Sequence, residues 1–141
     1  MKLGFVVLYV PDVRAAAAFY QQAFGLAVRD ADPDDRYMEM DTGETTLAFA
    51  AESLIEQAGR SFRPHRPHER PAAGEFSFVA DDVAAAYETA LKAGAVSYEP
   101  PSQRPDGVVV AYVRDLNGVL VEIRQAVERH ADDAWRHALR G

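Results

Sequence analysis

Residues 75–94 read EFSFVADDVAAAYETALKAG, and residues 4–25 read GFVVLYVPDVRAAAAFYQQAFG. Each stretch opens on a short run rich in aromatic and β-branched side chains, which predicts a strand over 75–80 and another over 4–10. Asp82 and Asp12 follow at the position where a carboxylate caps a helix N-terminus. The alanine-rich runs 83–93 and 13–23 then carry apolar residues at helical spacing, and Gly94 and Gly25 end them.

Further strand-like pieces follow each helix, at 26–29, 36–40 and 45–50 in the first half and at 96–99, 108–114 and 119–124 in the second. Asp-Thr-Gly at 41–43 and Asp-Leu-Asn-Gly at 115–118 supply the last turn of each half. The order β-α-β-β-β therefore occurs twice. Asp12-Val13 recurs as Asp82-Val83 at a shift of 70, and Gly43 recurs as Gly118 at a shift of 75. The expected architecture is α+β: one domain over 1–125, with modules at 4–50 and 75–124. The linker, 51–74, begins with a short helical segment at 52–58, and the prolines at 64, 67 and 71 break regular structure in the rest. The segment 126–141, which contains Trp135, is expected to form a C-terminal helix.

The 141 residues are 48% hydrophobic and 26% charged, a mixture that folds around a core rather than staying disordered. No apolar run approaches the ~20 residues that span a bilayer, and Met1-Lys2 leads straight into a strand. No membrane association and a cytoplasmic location are the expectations. The net charge of −7 argues against binding nucleic acid through its phosphates. The absence of cysteine excludes thiolate chemistry and Cys-based metal sites.

Three segments carry a resemblance. Tyr9-Val10-Pro11-Asp12-Val13, followed by Phe19-Tyr20 and Phe24-Gly25-Leu26, resembles the opening of vicinal oxygen chelate proteins, the superfamily of glyoxalase I, bleomycin-resistance proteins and extradiol dioxygenases. Phe78-Val79-Ala80-Asp81-Asp82-Val83 resembles the start of that family's second module. The run from Tyr112 through Asp115-Leu116-Asn117-Gly118 to Glu122-Ile123 is similar to its terminal motif, with Leu116 where a proline is usual. The resemblance implies two βαβββ modules whose sheets curl around a cleft, and a homodimer.

It also implies four metal-ligand positions, on the first and fourth strands of each module. The repeat shifts put Phe5, Leu47, Glu75 and Glu122 there. Phe5 and Leu47 have no lone pair to give, and two carboxylates do not make a 2-His-1-carboxylate iron site. Dioxygenase chemistry is therefore not expected. His65 and His68 lie in the linker and His130 and His137 in the tail, and none is assigned a metal.

Strand alternation puts Phe5, Val7 and Tyr9 on one face, and with Leu47 at its fourth-strand position they are expected to form an apolar, aromatic wall of the cleft. Glu75, Ser77, Tyr112, Leu120 and Glu122 form the opposite, acidic side. Which of the pairs Tyr37/Glu39 and Met38/Met40 faces inward is left open by alternation alone. Two ionised glutamates close together repel, so at least one pKa should rise unless an arginine such as Arg104, Arg114 or Arg124 neutralises one of them. The first functional expectation is a cleft without a cofactor that binds a mostly apolar small molecule with a cationic or hydrogen-bonding end. The alternative is a lyase or isomerase of the glyoxalase type. There Glu75 and Glu122 would serve as acid and base, or as ligands of a weakly held divalent metal.

Overall fold

The computed structural model describes residues 1–126; the expected C-terminal helix with Trp135, His130 and His137 lies outside the described residues. The β-branched run at the N-terminus forms β1 (Phe5–Val10). The Asp12 carboxylate accepts from the Ala15 N–H at 3.0 Å and starts α1 (Val13–Phe24). Gly25, at φ 70°, takes the left-handed conformation that closes the helix. There follow β2 (Ala27–Ala31), β3 (Tyr37–Asp41), β4 (Thr46–Ala51) and α2 (Glu52–Gln57). The second module repeats the pattern as β5 (Glu75–Val79), α3 (Val83–Lys92), β6 (Val96–Gln103), β7 (Val109–Arg114) and β8 (Leu120–Arg124). Asp82 caps α3 through the Ala85 N–H at 3.0 Å, as Asp12 caps α1.

Each module is a four-stranded mixed sheet, ordered β1-β4-β3-β2 and β5-β8-β7-β6. The first and fourth strands run parallel, and the remaining pairs are antiparallel. Strand β6 runs four residues past the expected 96–99, through Pro100 and Pro101. It can do so because it is an edge strand, where a missing N–H costs no ladder bond, and the register shifts at that point.

One face of each sheet packs on a shared core. Val6, Leu8 and Val10 of β1, Leu47, Phe49 and Ala51 of β4, and Met38 and Met40 of β3 turn to it in the first module. Phe76, Phe78, Val121 and Ile123 do so in the second. Helix α1 packs against α3. Its fully buried Tyr20 meets Phe49 of one sheet at 5.0 Å and Phe78 of the other at 6.5 Å between ring centroids. The Tyr20 hydroxyl donates to Asp115 Oδ2 at 2.6 Å, tying the first helix to the last turn of the second module.

The register corrects one expectation. Phe5 stands beside Thr46, and Glu75 beside Leu120, so with the first strands paired at a shift of 70 the fourth strands pair at 74. The turn after Gly43 holds one residue more than the turn after Gly118 before its strand begins, so the shift of 75 read from the glycines overshoots. Ala48, not Leu47, is the counterpart of Glu122. Leu47 is 5% exposed and packs in the core, so it is not a wall of the cleft.

Candidate functional site

The faces turned away from the core carry the expected site residues other than Leu47. On the second sheet, Ser77, Glu122 and Tyr112 stand in one row across β5, β8 and β7. Glu75, Leu120 and Arg114 form the next row. Ser77 Oγ donates to Glu122 Oε1 at 2.6 Å and Tyr112 OH donates to Oε2 at 2.7 Å. Arg104, in the turn after β6, donates from Nη2 to Glu122 Oε2 at 2.9 Å and also lies 2.8 Å from the Tyr112 oxygen. Arg124 Nη1 lies 3.7 Å from Oε1. Glu122 itself is only 4% exposed. Of the three arginines offered as neutralising partners, Arg104 and Arg124 serve and Arg114 does not.

The two carboxyl groups are driven apart. Burial pushes Glu122 up, but the hydrogen bonds from Ser77 and Tyr112 and the charges of Arg104 and Arg124 outweigh it and hold Glu122 below the usual range. Glu75 is raised, first by desolvation and then by the charge of Glu122, which Arg104, Tyr112 and Arg124 only partly offset. Burial and the hydrogen bond to Glu122 push the Tyr112 phenol well up, so it is a donor and not a base. The cluster thus contains a fixed carboxylate that already accepts three hydrogen bonds, beside an exposed carboxyl group that holds its proton more readily than usual.

On the first sheet, Phe5, Val7 and Tyr9 share their face with Thr46, Ala48 and Ala50 of β4. Tyr37 and Glu39 join them across β3, which settles the inward pair: the methionines face the core and Tyr37 and Glu39 the open side. The Tyr37 hydroxyl donates to Glu39 Oε2 at 2.8 Å, and its pKa is pushed up to about 12 by burial and by that bond. Phe5 is 55% exposed and Val7 41%. These residues and the Glu75–Glu122 cluster lie on different sheets, and the helices and the shared core, not a strand ladder, join the modules.

The four positions implied for a metal are Phe5, Ala48, Glu75 and Glu122. Two are hydrocarbon, and Glu122 already accepts three hydrogen bonds, so the donor set does not fit a transition metal. Among the described residues no three of His, Asp and Glu are grouped to hold a metal ion.

Two cavities flank the linker. One, of about 330 Å³, lies between Val7 and Tyr9 of β1 and residues 62–65, where Phe62 meets the Tyr9 ring at 5.2 Å. The other, of about 870 Å³, lies between residues 63–73 and Tyr98, Arg114 and Gly118 of the second module. Sequence reasoning missed this second cavity, although four arginines against one glutamate between positions 60 and 70 mark the segment in an acidic chain.

The glyoxalase/bleomycin resistance protein/dioxygenase superfamily model matches residues 2–123. The fold is similar to that of a glyoxalase-related enzyme from Fulvimarina pelagi, at a TM-score of 0.75 and 23% identity over 89% of this chain and 88% of that one. It is similar to a family enzyme from Burkholderia phytofirmans at 0.74 and 22%, over 90% and 100% of the two chains. A lactoylglutathione lyase from Agrobacterium tumefaciens matches at 0.65 and 25%, over 89% and 93%. No curated protein matches the chain. The duplicated βαβββ order, its sheet topology and the family match over nearly all the described residues agree: the chain belongs to the glyoxalase/bleomycin resistance protein/dioxygenase superfamily.

Proposed function

We propose that the protein binds a small, mostly apolar molecule at the open sheet faces without a metal. The carrying observation is the state of Glu122: Ser77, Tyr112 and Arg104 already hydrogen-bond this carboxylate, one of only two at the four family ligand positions. Glu75 is then the group left to receive a hydrogen-bonding or cationic end of the ligand, with Leu120, Phe5 and Val7 supplying apolar surface. Apolar walls with a few convergent polar groups are the usual makeup of small-molecule sites. A second copy of the chain is the proposed partner that covers Phe5, Val7 and Val79, whose exposure leaves each open face half a site.

The test is a thermal-shift and calorimetric screen of cationic aromatic compounds, with elemental analysis of the purified protein. Binding that Glu75→Gln weakens about tenfold, in protein free of stoichiometric metal, is the expected result. A stoichiometric metal lost in Glu122→Gln overturns it. The separation of the Glu75 and Glu122 pKa values favours one second reading, acid–base chemistry of the lyase or isomerase type. Turnover of 2-oxoaldehyde or thioester substrates that survives chelator would replace the binding role with this one.

A further inference from the structure

The 870 Å³ cavity is lined by Arg63, Arg66, Arg70 and Arg114, with Glu69 the one carboxylate on its wall. Arg66 is matched, since both its terminal nitrogens reach Glu52 at 2.8 Å. Arg114 is not. Its guanidinium donates to the carbonyl oxygens of Gly118 at 2.9 Å, Pro67 at 3.0 Å and Arg66 at 3.3 Å, groups without net charge. Among the described residues, Arg63, Arg70 and Arg114 make no ion pair, and Glu69 is shared with His68 at 4.0 Å.

The wall is set in place. Arg114 straps the linker onto the β7–β8 turn, and Pro64 and Pro71 stiffen the linker on either side. Gly118, at φ +88°, admits this approach: a Cβ there would stand 2.6 Å from the Arg66 oxygen. Tyr98 supplies an aromatic side to the cavity. Arg63 and Arg70 are exposed and Arg114 is half-buried; cations lining one concave space raise the local potential there, and guanidinium groups match the paired oxygens of an oxyanion.

We propose that this cavity binds a small molecule through a multiply charged oxyanionic group, a phosphate ester or a polycarboxylate, held by Arg63, Arg70 and the field of Arg114. The site is separate from the Glu75–Glu122 cluster and does not rest on the function proposed for it. Calorimetric titration of the whole chain with pyrophosphate and with citrate, at ionic strength matched with chloride, tests the idea. Saturable binding of at least one is expected, weakened at least tenfold in Arg63→Gln/Arg70→Gln. Tighter pyrophosphate binding identifies a phosphate ester, and tighter citrate binding a polycarboxylate. No saturable binding of either, or equal affinity in the double variant, overturns the proposal. Among the described residues neither side chain makes a hydrogen bond or ion pair and both are exposed, so the variant should melt as the parent does. Should it not, the salt dependence of the parent decides: affinity falls severalfold from about 0.05 to about 0.5 M salt if the arginines hold the ligand, and salt-indifferent binding overturns the proposal.

Discussion

Glu75 and Glu122 carry opposite signs in the stability of the fold. Glu122 is held below its ordinary range, so its ionisation stabilises the folded state above the unfolded-state pKa, and this is lost as pH falls through the folded value. Glu75 is raised, so its ionisation costs stability as pH rises through the carboxylate range. Glu122→Gln should cost about 2 kcal/mol near pH 7, because it leaves Arg104 and Arg124 short of a charge, and should flatten the acid limb of a stability–pH curve. Glu75→Gln should stabilise the protein by only a few tenths of a kcal/mol at pH 7, since the side chain is exposed and screened, and by nothing at pH 3. Urea denaturation across pH measures both; a steeper acid limb in Glu122→Gln would contradict the assignment. The row Ser77, Tyr112, Glu122 was legible because side chains alternate along a strand. The choice among arginines was not, because Arg104 reaches Glu122 only through an edge strand that runs on past two prolines.

At the scale of elements, the helices and their caps could be read from residue types alone: Asp12 and Asp82 do the same work seventy positions apart. Strand register could not. One additional residue in the turn after Gly43 reverses which face of β4 each side chain takes, and it moves Leu47 from the expected cleft into the core. Leu47→Ala should therefore destabilise by about 2–4 kcal/mol, seen as a lowered denaturation midpoint, with ligand affinity unchanged in whatever fraction is folded. Were Leu47 part of a binding wall, affinity would drop while the midpoint stayed. The linker resisted reading for a related reason. Its prolines announce irregular backbone, but where that backbone lands depends on Arg114 and Gly118, almost fifty residues away.

For the whole molecule, duplication was visible in the chain, and the two sheets follow it. What the repeat hides is how unequal the copies have become: one open face is mostly apolar, with the Tyr37–Glu39 hydrogen bond on β3, and the other a network of charge around Glu122. Exposed Phe5, Val7 and Val79 lead to a further expectation, a native mass twice that of the chain in sedimentation equilibrium, reduced to a single chain by Val7→Lys. A single-chain mass for the parent protein would remove the second copy from the account. Tyr20, contributed by the first repeat, is seated against Phe78 and bonded to Asp115 in the second. A backbone cut between Ala72 and Ala73 should therefore yield halves that are each unfolded alone, yet regain the parent circular dichroism when mixed. Each repeat then completes the other's core like a key in its lock, and the folding unit is the pair and not the copy.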